Sequence, residues 1–355
     1  MTNHSLPIAV REFTMPAPFD PPPAPSPIQN STHFPEPNAP RSRSWLGWLK
    51  RHSRFLIGGL VFAFLLKALL ENGQTMATVQ ISGAGWACLI IALGFTLLAH
   101  TVAGLTWASV LATLGHPMDR TWTTATYLKT NIAKYLPGNV WHFYGRVTAA
   151  HQAGIPLAIA ALSVLMEPLL LATAACTIAL LGLPHLLQWS LPWGWILSAI
   201  GWIGILVFLH PRWFNPLLGW VNRLKQKVRH SKTTLQLDHY PGTAFLGEIG
   251  FLLLRGTGFL FACLAISPFS LDQPLVLYST FSLAWLIGFL VPIPGGIGVF
   301  ELVALTLLGN LFPSSQLLAI LGLYRLVSTL AEAIGAGLAL WSDRLYPPMP
   351  PNSHF

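Results

Sequence analysis

Several charged side chains lie inside long apolar stretches of this sequence, where they could bind a ligand or hold helices together. A charge placed in hydrocarbon costs about 2.5–3.5 kcal/mol, so such residues usually face the protein interior. Two interpretations stay open: ion pairs that fix a helix bundle, or a polar cavity that handles a charged ligand. The residues are Lys67, Glu167, Glu248, Arg255, Glu301, Arg325 and Glu332.

The spacing of these charges predicts contacts between helices. Glu248 and Arg255 are seven residues apart, and so are Arg325 and Glu332. Each pair therefore shares one helix face but stands two turns apart, too far for a bond within one helix. We expect partners on other helices, and we predict that Glu301 pairs with Arg325.

Two segments are interrupted by proline and glycine, in "YLPGNVWHFYGR" and in "VPIPGGIGVFE". Proline removes a backbone donor, and a break that faces lipid would leave polar groups without partners. We therefore predict that both interrupted elements are enclosed by protein, with the first a re-entrant or interfacial half-helix. Paired interruptions in the two halves of a chain point to the binding site of a transporter. Their amides suit an anion, while tight helix packing explains the glycines equally well.

The composition shows where these elements must lie. The chain has 355 residues, of which 53% are hydrophobic and 9% charged, and its mean hydropathy is +0.56. A soluble domain carries about 25% charged residues. The sequence therefore predicts an all-α, polytopic membrane helix bundle.

The apolar runs define the spans of this bundle. Because one span needs about 20 apolar residues, we predict about eight spans. The candidates are residues 55–71, 84–113, 156–183, 193–210, 244–266, 275–292, 297–312 and 316–341.

Lysine and arginine are concentrated in alternate connecting segments. Residues 114–136 and 211–243 carry basic side chains, whereas residues 72–83 and 184–192 have none. This alternation predicts that both termini are cytoplasmic. The formal charge of +8 is explained by topology, and we expect no nucleic-acid partner. Residues 211–243 either rest on anionic headgroups as an amphipathic helix or only enforce the orientation.

The ends of the chain differ from its middle. Residues 1–44 are Pro-rich and aperiodic, so we predict a disordered tail that could dock a protein partner. We assign residues 45–343 to the membrane domain and residues 344–355 to a short C-terminal tail.

Recognisable catalytic and metal-binding patterns are missing from the sequence. The cysteines Cys88, Cys176 and Cys263 lie singly in apolar runs, and the histidines form no HExxH pair. We expect no metal, no cofactor and no enzymatic activity.

Four segments taken together resemble the integral-membrane domain of lysylphosphatidylglycerol synthases, also called flippase-like or UPF0104-type proteins. The segments are "KYLPGNVWHFYGRVTAAHQAGIP", "VLMEP", "VPIPGGIGVFE" and "LYRL". The resemblance implies a protein of the cell (inner) membrane that binds or translocates phospholipids or other lipid-linked anionic headgroups. A non-enzymatic subunit or scaffold for lipid or glycan biosynthesis is the alternative.

The same resemblance implies a set of substrate-binding residues and one departure. In that family a base usually follows the acid of the middle motif, whereas here Pro168 follows Glu167. The synthases also carry a soluble aminoacyl-transfer domain after the membrane region, so we expect no synthesis activity from this chain. The implied site residues are Pro137, Gly138, Arg146, Glu167, Pro294, Gly295, Gly296, Gly298, Glu301 and Arg325.

Overall fold

A computed structural model describes residues 81–136, 140–186, 191–210, 212, 240–290 and 299–345. All regular structure within these ranges is helical. In chain order the helices are α1 (Gly83–Thr113), α2 (Arg120–Asn131), a 3₁₀ helix (Ile132–Tyr135), α3 (Trp141–Gln152), α4 (Leu157–Leu186), α5 (Leu191–Leu209), α6 (Gly242–Ile266), α7 (Pro274–Leu290), α8 (Val299–Leu308) and α9 (Ser314–Leu345).

Four of the described helices are long and apolar enough to cross a membrane, namely α1, α4, α6 and α9. Shorter apolar helices coincide with the predicted spans at residues 193–210, 275–292 and 297–312. The predicted first span and the Pro-rich tail lie outside the described residues. The all-α membrane class is confirmed, and the number of eight spans stays a prediction.

Helices α1 and α6 pack closely and antiparallel along their length. A methyl group on Gly85 would lie 2.6 Å from the carbonyl oxygen of Ala265, and one on Gly258 would lie 2.7 Å from Thr96 Oγ1. Hydrophobicity does not drive helix association within lipid, so membrane helices use small residues to bring their backbones together. These glycines let the two helices approach closely at one end of the pair, at Gly85, and near its middle, at Gly258.

The first interrupted segment joins two short helices. Asp119 caps α2 by accepting a hydrogen bond from the backbone N–H of Trp122 at 2.7 Å. The 3₁₀ helix follows α2 directly. Helix α3 begins after residues 137–139, which the structure does not describe. Gly154, with φ of +92°, reverses the chain after α3 because glycine has no Cβ to clash in this conformation. A short helix therefore follows the first break, while its placement in the membrane stays a prediction.

Candidate functional site

The first charged centre is a buried ion pair between α3 and α4. Arg146 binds Glu167, and the two side chains are 2% and 5% exposed. Tyr127 of α2 donates its hydroxyl to Glu167 Oε1 at 2.8 Å. The Arg146 guanidinium carbon lies 4.5 Å from the centre of the Tyr127 ring, which is a cation–π contact. Glu167 thus receives its positive partner from another helix, although Pro168 follows it in sequence.

The second charged centre surrounds Glu332 of α9. Its Oε1 lies 2.6 Å from Lys134 Nζ, 3.2 Å from His100 Nε2 and 3.8 Å from an Arg255 terminal nitrogen. These groups come from the 3₁₀ helix, α1 and α6. Glu332 is 3% exposed and His100 is 2% exposed, whereas the Lys134 side chain remains 28% exposed. Lys134 therefore connects a buried carboxylate with the outside of the bundle.

Arg255 is held by hydroxyl groups as well as by charge. It donates from Nη2 to Ser328 Oγ at 2.6 Å and from Nε to the Tyr324 hydroxyl at 3.2 Å. Both acceptors lie on α9, as Glu332 does. The guanidinium is therefore fixed against α9 even where its distance to the carboxylate is long.

The Glu332 centre carries an excess of positive charge. Within the described residues, Lys134 and Arg255 share the single carboxylate of Glu332. His100 Nε2 lies within hydrogen-bond distance of the Glu332 carboxylate and 3.4 Å from Arg255 Nη1. His100 Nδ1 and Glu332 Oε2 have no hydrogen-bond partner. Within 4.0 Å of Glu332, the two cations thus exceed the carboxylate by one charge.

The third charged centre is the pair between Glu301 of α8 and Arg325 of α9, which confirms the predicted contact. The side chain of Glu301 is 22% exposed and that of Arg325 is 19% exposed. The predicted site residues Pro294, Gly295, Gly296 and Gly298 precede α8 and lie outside the described residues. The same is true of Pro137 and Gly138.

The three centres are connected into one charged row. Arg325 and Glu332 stand two turns apart on α9, and Glu248 and Arg255 stand two turns apart on α6, which is about 10 Å in each case. Arg146 and Glu167 act electrostatically on Glu248, and Arg146 acts on Lys134. The charged row consists of Glu301, Arg325, Glu332, Lys134, Arg255, Glu248, Arg146 and Glu167.

Sequence reasoning found most of this row but missed two of its contacts. Lys134 was assigned to a basic loop that sets orientation, although its side chain reaches buried Glu332. His100 belongs to no recognisable histidine motif in the sequence. The position of Lys134 three residues before Pro137 was a signal, because a base beside a break in an apolar chain can turn inward.

The described residues contain no group of three His, Cys, Asp or Glu side chains placed to hold a metal ion. The charged row offers Arg, Lys and Glu side chains, which can recognise charged groups.

Comparison with protein families finds one match that includes the whole charged row. The family described as "lysylphosphatidylglycerol synthase TM region" matches residues 54–335. The chain belongs to this family. Membership confirms the resemblance drawn from the sequence and makes the chain a multi-pass membrane protein of that family. Comparison with curated proteins finds no match.

Proposed function

We propose that this family member binds phospholipids, or other lipids with anionic headgroups, and moves the headgroup through the polar interior of its membrane domain. The observation that carries the proposal is the positive excess at the Glu332 centre. Two cations face one carboxylate there, inside a bundle of apolar helices. A phosphodiester carries the single negative charge that would balance them.

Lys134 is the residue that first meets the headgroup in this proposal. Its ammonium is bound to Glu332 at 2.6 Å while its side chain is 28% exposed. A lysine has a flexible stem and rotatable donors, so it can exchange one anionic partner for another. Glu332 thus acts as an internal counter-ion that a phosphate replaces. The exchange costs little because one charge-assisted hydrogen bond replaces another.

The remaining pairs of the row have separate roles in the proposal. Glu301 and Arg325 are partly exposed, so a passing headgroup can reach them. Arg146 and Glu167 are closed off from the surface. We assign to the more exposed pair a direct contact with the lipid, and to the buried pair the spacing of α3 and α4.

Leaflet exchange in vesicles tests the proposal. The purified protein is reconstituted with fluorescent phosphatidylglycerol, phosphatidylethanolamine or a polyprenyl phosphate, and the outer leaflet is bleached. We expect faster loss of protected fluorescence than in protein-free vesicles, and slower loss for Lys134→Gln. Lys129→Gln is the matched control, because Lys129 has similar exposure but pairs with Asp343 outside the row.

Two outcomes would contradict the proposal. If every lipid exchanges no faster than in protein-free vesicles, the protein does not translocate these lipids. Equal effects of the Lys134 and Lys129 substitutions would remove the Glu332 centre from the lipid path. If no lipid moves, the alternative of a non-enzymatic subunit or scaffold becomes the working hypothesis. Pull-down with and without residues 1–44 then tests a docking role for the tail.

A further inference from the structure

Glu248 is the buried carboxylate of the charged row that takes part in none of the ion pairs described above. It lies on α6, is 1% exposed, and its Oε1 has no hydrogen-bond partner. Among the described residues, no basic side chain lies within 4.0 Å of it, the distance that defines the ion pairs above. An ionised carboxylate placed alone in a protein interior costs several kcal/mol, and such a group gives up its charge instead.

The charged groups that surround Glu248 explain why it stands alone. The charged groups that act on Glu248 are Glu167 of α4, whose negative charge repels a second one, and Arg146 of α3. Arg146 is already bound to Glu167. The Tyr127 hydroxyl of α2 also interacts electrostatically with Glu248, but it donates its hydrogen bond to Glu167. One cation therefore stands beside two carboxylates.

The other helices packed against α6 supply no second cation for Glu248. Arg255 is the next charged residue on α6 itself, about 10 Å away by helix geometry. It is held by the α9 groups Tyr324, Ser328 and Glu332 and lies against His100 of α1. Helix α7 contains no charged residue. The charge balance around Arg146 therefore needs one further positive charge.

We propose that Glu248 is a proton-binding site in the membrane interior, holding the single exchangeable proton that balances the Arg146–Glu167–Glu248 group. With that proton the group is neutral, because one guanidinium then faces one carboxylate. When Arg146 leaves Glu167 and becomes the counter-ion of Glu248, the proton passes to Glu167, so that the group stays neutral. Rearrangement of the Arg146–Glu167 pair is thereby linked to transfer of the proton between the two carboxylates.

Infrared difference spectroscopy of the full-length protein in lipid tests the proposal directly. A protonated carboxyl group has a C=O stretch that is separate from the carboxylate bands and shifts in D₂O when its proton exchanges. We expect this band in the wild-type protein near neutral pH and its loss in Glu248→Gln. Glu301→Gln is the matched control and keeps the band, because Glu301 is paired with Arg325.

A second variant tests the shared proton. Glu167→Gln leaves one guanidinium and one carboxylate, so Glu248 should ionise and the band should disappear although Glu248 is still present. A band that persists in Glu167→Gln would overturn the link to Arg146. A wild-type spectrum that Glu248→Gln leaves unchanged would overturn the proton site itself.

Folding controls keep the test decisive. Glutamine resembles a neutral glutamic acid in shape and charge, so Glu248→Gln should elute and melt like the wild-type protein. Failure of this variant to fold would count against the proposal, since it would mean that the fold needs a negative charge there. The spectrum does not depend on lipid movement, and it is therefore independent of the proposed function.

Discussion

Two arginine–glutamate pairs of the same composition lie in very different surroundings. Arg146–Glu167 joins α3 to α4 with side chains that are 2% and 5% exposed, whereas Glu301–Arg325 joins α8 to α9 with side chains about four times or more as exposed, at 22% and 19%. In the first pair the charges are compensated only by groups inside the bundle, namely each other and Tyr127. In the second pair each charge can also be compensated by a group that reaches it from outside. Burial, rather than residue type, therefore decides which pair an external ligand can reach.

The largest effect is expected from breaking the buried pair. Arg146→Met leaves Glu167 without a counter-charge, so we expect a loss of about 3–5 kcal/mol in the free energy of unfolding. Denaturation of the protein in mixed detergent micelles measures this loss. Replacing Arg146 and Glu167 together by methionine should restore most of the stability, because neither charge of this pair then remains buried. A double variant as unstable as the single one would show that the pair is not what holds α3 to α4.

A smaller loss is expected at the Glu332 centre. Glu332→Gln removes the carboxylate that Lys134 and Arg255 share, and a hydrogen bond to a charged group contributes roughly 1.5–3 kcal/mol. Lys134 can turn outward, since its side chain is 28% exposed, which limits the loss. The same denaturation experiment should place this variant between Arg146→Met and wild type. A loss as large as that of Arg146→Met would show that Lys134 cannot compensate by turning outward.

Asp119 extends the comparison to a carboxylate outside the spans. Its hydrogen bonds from the Thr121 hydroxyl and the Trp122 backbone N–H hold its pKa below the ordinary value of 3.8. The cap is therefore fully present above that value and is lost as the pH falls through the lower pKa of the folded protein.

Asp119→Ala should cost about 1 kcal/mol, the usual contribution of a helix N-cap. Unfolding measured at neutral pH and again in acid should show the difference between the wild-type protein and the variant shrink in acid. A difference that is constant with pH would mean that the carboxylate does not cap α2.

The smallest loss of stability is expected at the exposed pair. Glu301→Gln should cost about 1 kcal/mol or less, as exposed ion pairs usually do. If this pair contacts the headgroup, leaflet exchange should fall in the same variant. Unchanged exchange together with unchanged stability would remove Glu301 from the proposed path.

The sequence allowed the prediction of the long apolar helices and of one ion pair, whereas α2 lies in a stretch interpreted as a connecting segment. Long apolar runs predict helices because a membrane leaves the backbone few other ways to satisfy its polar groups. Glu301 and Arg325 could be matched by charge alone. Lys134 and Glu332 could not, since they are 198 residues apart and meet only through the packing of α9 on the 3₁₀ helix. The Arg146–Glu167 contact depends likewise on how α3 folds back after Gly154.

The glycine contacts between α1 and α6 have a mechanical consequence. No glycine side chain separates the helices where Gly85 meets Ala265 and where Gly258 meets Thr96, so little room is left for them to slide past each other. We therefore expect the two helices to move as one rigid body that carries His100 and Arg255 together. Spin labels at the exposed positions Ile90 and Leu253 should keep their separation when lipid is added. Any opening of the bundle would then require the other helices to move against this fixed frame.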